Sequence, residues 1–119
     1  MINIYLTLDK ETEAQHLIEE VERRLEDIFE EPYTFKLLNE LANTTRRFNN
    51  LQTSIQIYKK ALLSIKTRFK NNYMEQPDTS KILINIASTE YMKDNLQEAL
   101  RYYDHALNVL SNCGPKHTN

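Results

Sequence analysis

Apolar residues in this chain recur every three or four positions instead of every second one, which is the signature of amphipathic helices. Residues 9–31 place Ala14, Leu17, Ile18, Val21, Leu25, Ile28 and Phe29 on one face, and Pro32 closes that run. A second helix is expected over residues 34–48, with Thr34 as N-cap and Leu37, Leu38, Leu41 and Ala42 inward. Asn49-Asn50 turns the chain into a third helix from residue 51 to 71 or 72, and residues 73–76 read as a loop. Asp78 or Thr79 caps a fourth helix carrying Ile82, Leu83, Ile86, Ala87 and Tyr91. Lys93-Asp94-Asn95 then leads into a fifth, over residues 96–112. Gly114-Pro115 is a stop signal, which leaves residues 113–119 as a flexible tail. Residues 2–8 are short and apolar, and fit a strand or a helix end equally.

The fifth helix has an echo. Residues 96–110, LQEALRYYDHALNVL, set Leu96, Ala99, Leu100, Tyr103, Ala106, Leu107 and Leu110 on one broad face. Shifted back by 45 residues the stretch returns as LQTSIQIYKKALLSI, with Leu51, Gln52, Tyr58, Ala61 and Leu62 matching Leu96, Gln97, Tyr103, Ala106 and Leu107. The register extends upstream: Pro32, Thr34, Leu38, Ala42, Thr44 and Asn50 match Pro77, Thr79, Leu83, Ala87, Thr89 and Asn95. A pair of antiparallel helices cannot bury its apolar face alone, so repeated pairs stack on one another.

Composition narrows the picture. At 119 residues, with 40% hydrophobic and 27% charged positions, the chain suits one domain with a core. One glycine and three prolines favour long helices over a turn-rich β fold. A net charge of −2 argues against general nucleic-acid binding, and the absence of an apolar run of about eighteen residues argues against a membrane span. The start lacks the basic and apolar regions of a signal peptide, and Cys113 is alone, so a cytoplasmic location is the default expectation. Charge is distributed unevenly: residues 9–31 hold ten acids against Lys10, Arg23 and Arg24, while residues 51–72 hold Lys59, Lys60, Lys66, Arg68 and Lys70 and no acid. Pairing of these two helices is the favoured reading, and a basic stripe for phosphates or an acidic partner the other.

No constellation for chemistry is visible. His16, His105 and His117 have no metal-ligand spacing, and with Gly114 as the only glycine there is no phosphate loop or nucleophile elbow. Cys113, placed at a helix C-terminus, faces the negative end of the dipole and is not activated. Neither catalysis, a cofactor nor a metal is expected.

The repeat resembles the tetratricopeptide repeat, whose helix B carries Ala-x3-aromatic-x2-Ala. The last repeat supplies Leu83, Ile86 and Ala87, then Ala99, Tyr103 and Ala106. The middle one supplies Leu38, Leu41 and Ala42, then Ser54, Tyr58 and Ala61, and the first Tyr5, Ala14, Ile18 and Val21. Departures are the missing helix A tryptophan and glycine, Ser54 in place of alanine, the missing closing proline, and a period of about 40 to 45 residues where 34 is usual. That longer period, with Gln76-Pro77-Asp78-Thr79 before helix A, is similar to the kinesin-light-chain type, and Pro115-Lys116-His117-Thr118 looks like the start of another such loop. The resemblance implies an all-α fold of about five helices: antiparallel helix-turn-helix repeats stacked as a short α-solenoid over residues 1–112, divided near 1–31, 32–76 and 77–112. With Tyr5 aligned as the helix A tyrosine, the chain begins inside helix A and reads as a piece of a longer array; the rival is a small protein with a short first helix.

In this family the A helices line a concave groove that binds peptides. Projected onto this chain, its positions are Lys36, Asn39, Glu40, Asn43 and Arg47, then Lys81, Ile84, Asn85, Ser88 and Met92. An asparagine can bond both the N–H and C=O of an extended backbone, so Asn39, Asn43 and Asn85 are candidate capture residues beside apolar Ile84 and Met92. Asn43 and Asn85 also match part of a two-carboxylate clamp, but its lysine and arginine partners are incomplete. The implied function is a non-catalytic scaffold or adaptor holding a protein or peptide partner whose identity is unspecified. The alternative is an assembly segment, stacking through its ends on further repeats or on another copy.

Overall fold

The computed structural model describes the backbone of residues 2–118 and the side chains of residues 10–113. Helical spacing becomes five helices, α1 (Ile2–Ile28), α2 (Thr34–Arg47), α3 (Leu51–Phe69), α4 (Pro77–Met92) and α5 (Leu96–Thr118), with a 3₁₀ segment Lys70–Glu75 ahead of α4. No strand occurs among the described residues. α2 and α3 form one hairpin and α4 and α5 another; α4 packs on α3, and α1 lies against α2. The chain is thus an all-α stack of helical hairpins in the order the repeat requires. One core runs through it, from Ile18 and Val21 of α1 through Leu38, Tyr58 and Ile65 to Leu83, Ile86, Ala106 and Val109.

The 45-residue echo reaches the hydrogen bonds. Both A-to-B turns pass through a left-handed residue, Asn49 (φ 64°) and Asp94 (φ 63°), side chains that tolerate this region. Asn50 N–H then bonds Thr45 C=O at 3.2 Å and Asn95 N–H bonds Glu90 C=O at 2.9 Å, closing the same turn twice. Thr34 and Thr79 are matched as well: each fully buried hydroxyl donates six residues back, to the carbonyls of Ile28 and Tyr73. They are therefore not N-caps as the sequence suggested. α2 and α4 start behind Tyr33 and Gln76, neither of which makes a side-chain cap bond, and the threonines satisfy carbonyls at the end of the preceding helix.

Other boundaries also move. Residues 2–8 belong to α1, which runs unbroken to Ile28, so no turn separates Tyr5 from Ala14 and the first unit is one helix instead of a helix A plus helix B. The side chain of Tyr5 lies outside the described residues. The expected loop at 73–76 is mostly 3₁₀ helix. α5 continues through Gly114-Pro115 to Thr118, where a stop and a tail were expected; proline removes one backbone donor near a helix end, and the ladder continues past it. Cys113 is buried inside that helix, its thiol 3.0 Å from the Glu75 carbonyl.

The inward face of α5 is rotated from the expected one. Ala99, Tyr102, Ala106, Val109 and Cys113 are buried, whereas Leu96, Leu100, Leu107 and Leu110 are exposed. The sequence shows one broad apolar arc, and only the part that meets α4 and the 3₁₀ segment finds cover. Leu17 of α1 is exposed for the same reason, since α1 docks through Ile18 and Val21.

Candidate functional site

The two A helices, α2 and α4, supply the groove positions, and every one of them stays accessible. Lys36, Glu40 and Arg47 of α2 and Lys81, Ile84 and Met92 of α4 are exposed; Asn39, Asn43, Asn85 and Ser88 are half-buried. This follows from the helix period: Phe35, Leu38, Leu41 and Ala42 of α2, and Ile82, Leu83, Ile86 and Ala87 of α4, take the opposite face into the core.

The half-buried four are interlocked. Asn85 Nδ2 donates to Asn39 Oδ1 at 3.0 Å, joining α4 to α2 across the stack. About one turn further along each helix, Tyr58 Oη donates to Asn43 Oδ1, and Ser88 Oγ lies 3.1 Å from Tyr103 Oη. Tyr58 and Tyr103 are equivalent in the repeat, as are Asn43 and Ser88, so each B-helix tyrosine pins a polar groove residue of its own hairpin. Burial pushes the Tyr58 phenol above its usual range, which keeps it a neutral donor. Arg46 sits 5.9 Å over the Tyr58 ring and 3.5 Å from Thr89 Oγ1, a second link between α2 and α4.

These bonds define what the surface can offer. Asn39 retains Nδ2 as donor and Asn85 retains Oδ1 as acceptor; among the described residues neither atom has a further hydrogen-bond partner. Asn43 has spent an acceptor position on Tyr58 and offers mainly its donor. The expectation that a single asparagine supplies both bonds becomes an adjacent donor and acceptor shared by two residues. Ile84, exposed just before Asn85, and Met92, two turns further, add apolar surface, and Lys36, Arg47 and Lys81 add positive charge opposed by Glu40. Nothing in the sequence signalled the Asn39–Asn85 contact, because the two lie 46 positions apart, one off the repeat register.

A second concavity escaped the sequence reading. A cavity of about 420 Å³ lies between α1 and the α2–α3 turn, lined by Glu11, Ala14, His16, Ile18, Phe48 and Asn50 among others. It results from α1 meeting the rest of the fold along a narrow seam. His16 there is exposed, and no cluster of three or more histidine, cysteine or acidic side chains able to hold a metal occurs among the described residues. None of the described helices is long and apolar enough to cross a membrane.

Residues 79–118, from the first turn of α4 to the end of α5, match a family model described as tetratricopeptide repeat. No curated protein and no solved structure matches the chain.

Proposed function

We propose that this chain, which belongs to the tetratricopeptide-repeat family through the repeat at residues 79–118, is a non-catalytic adaptor that holds an extended peptide of a protein partner along α2 and α4. The carrying observation is the Asn39–Asn85 contact, which leaves one donor and one acceptor side by side on an accessible surface. An extended backbone presents an N–H and a C=O to such a pair, so recognition reads backbone shape, and Ile84 and Met92 add apolar contact for a side chain on either side. The tyrosines beneath hold Asn43 and Ser88 before a ligand arrives, which lowers the ordering cost of binding. The long period and the Pro77-Asp78-Thr79 entry to α4 favour the kinesin-light-chain-like subtype, and a cytoplasmic setting suits such an adaptor.

The test is a peptide-library titration that follows the side-chain amide signals of Asn39, Asn43 and Asn85. Binding peptides should shift all three, and the Asn39→Ala/Asn85→Ala double variant should weaken them by about tenfold or more, the loss expected for two hydrogen bonds. Shifts confined to α3 and α5 would sink the groove assignment.

A further inference from the structure

α3 carries an internal control for α5. Leu51, Ile55, Tyr58, Leu62 and Ile65 step along α3 at alternating four- and three-residue intervals, and the last four are buried by the α4 side of the stack. Their equivalents 45 residues on form the same stripe on α5, but there Leu96 is 56% exposed, Leu100 64%, Leu107 60% and Leu110 42%, with Tyr103 half-buried. The neighbouring A helix sharpens the contrast. Beside the α3 stripe α2 places Asn39 and Arg46, both engaged with α4; at the matching positions α4 places Ile84 and Tyr91, 36% and 62% exposed. The α4–α5 face thus copies an internal junction in shape and exceeds it in apolar character. An apolar patch of this extent marks an interaction surface.

We propose that this face is a dimer interface, in which two copies pack α5 against α5 about a two-fold axis and each stripe fills the other's α4–α5 groove. The charge pattern selects that occupant from the surfaces this chain offers. Head-to-tail stacking would set the stripe against α1, which over its described side chains, residues 10–28, exposes Glu13, Glu19, Glu26 and Asp27, with Leu17 as the large exposed apolar residue of that stretch. Carboxylates pressed onto a dry apolar face lose hydration without a compensating partner. Along α5 the polar residues that border the stripe, Gln97, Asp104 and Ser111, supply no cation, and Lys81 at the α4 edge is one charge against several carboxylates. A second copy of the same face offers leucine to leucine and leaves Asp104 at the solvated rim, a self-complementary contact that closes. Six or seven such side chains bury roughly 600 Å² per protomer, near the lower bound for a specific interface, where association is weak; a micromolar dissociation constant is expected.

The measurement is sedimentation equilibrium on the full chain from about 1 to 200 μM, a range bracketing that affinity. A monomer–dimer equilibrium is expected. Leu100→Glu/Leu107→Glu should keep its circular dichroism, since both positions are exposed, and bind itself at least about 100-fold more weakly. Asp104→Cys should form disulfide-linked dimers on oxidation, with the wild type, whose Cys113 is buried, as background and Glu13→Cys on α1 as the negative control. The two surfaces share Ile84 but not the asparagine pair, so Asn39→Ala/Asn85→Ala should weaken peptide binding and leave self-association unchanged. A monomer throughout the range, a dimer indifferent to the leucine changes, or oligomers cross-linked through Glu13→Cys would each overturn it.

Discussion

His105 shows what a single side chain adds to a repeat whose pattern ignores it. It is half-buried on α5, with Nε2 3.3 Å from Met74 Sδ of the 3₁₀ segment. Burial first, and then the charges of Lys66 and Arg101, lower its pKa below the ordinary 6.5, so the folded chain holds it neutral. As pH falls through the unfolded value, the unfolded state binds a proton that the folded state refuses. The stability contribution is therefore intact above pH 6.5 and lost progressively down to the depressed folded pKa. Thermal melts between pH 7.5 and 5.5 should show wild-type stability falling below about pH 6.5 and His105→Gln flatter across that window; equal slopes would remove the assignment. The repeat pattern gives His105 no role, and its surroundings were not legible because Met74 and Lys66 come from segments 30 to 40 positions away. The tyrosines divide the same way. Tyr58 and Tyr103 were legible as packing residues from the repeat, whereas their bonds to Asn43 and Ser88 depend on how far each hairpin closes. Glu90 was not legible at all: the equivalent of Thr45, it is a buried carboxylate whose Oε1 makes no hydrogen bond, 3.9 Å from Lys93 Nζ.

For the helices, the echo disclosed the hairpins and their order because stacking demands the same small and aromatic residues at each level. Ends were less legible, since they depend on a few local torsions and not on the apolar period. The end of α3 is the sharpest case. The sequence placed it at Asn71 or Asn72, residues suited to a left-handed stop, but the chain turns at Lys70, with φ 51° and ψ −120°. A lysine pays a steric penalty there that glycine does not. Lys70→Gly should accordingly stabilise the fold by about 1 kcal/mol and raise the melting temperature by roughly 2–6 °C, while Lys70→Ala, which keeps the Cβ, should give no such gain. The start of α1 is open in the sequence for a related reason: residues 2–8 are too few to declare a period, and the structure joins them to the helix that follows.

On the scale of the whole molecule, α1 is the weakly held member. Its C-terminal end is tied, with the Thr34 hydroxyl on the Ile28 carbonyl and Ser64 Oγ 2.9 Å from the Phe29 carbonyl. Among the described side chains of α1, the seam thins towards the N-terminus to Ile18 and Val21 and opens into the 420 Å³ cavity beside the α2–α3 turn. The expected pairing of an acidic helix with a basic one is realised among the described residues by a single ion pair, Lys60 Nζ to Glu22 Oε1 at 3.6 Å, while Arg23 and Arg24 pair with Glu20 inside α1 itself. Most acidic side chains over residues 10–28 therefore repel one another across water, which loosens a segment that among the described residues is held mainly by Ile18 and Val21. Amide exchange should reveal α1 as a separate opening unit, with residues 10–20 exchanging at least about 100-fold faster than the cores of α3 and α4. Raising salt from about 0.02 to 0.5 M shortens the screening length from roughly 20 Å to about 4 Å, so protection should rise in α1 and change little elsewhere. If α1 instead exchanged together with α3 at both salt levels, its docking would be part of the global core, and the acidic face would have to be balanced by contacts stronger than this single exposed pair.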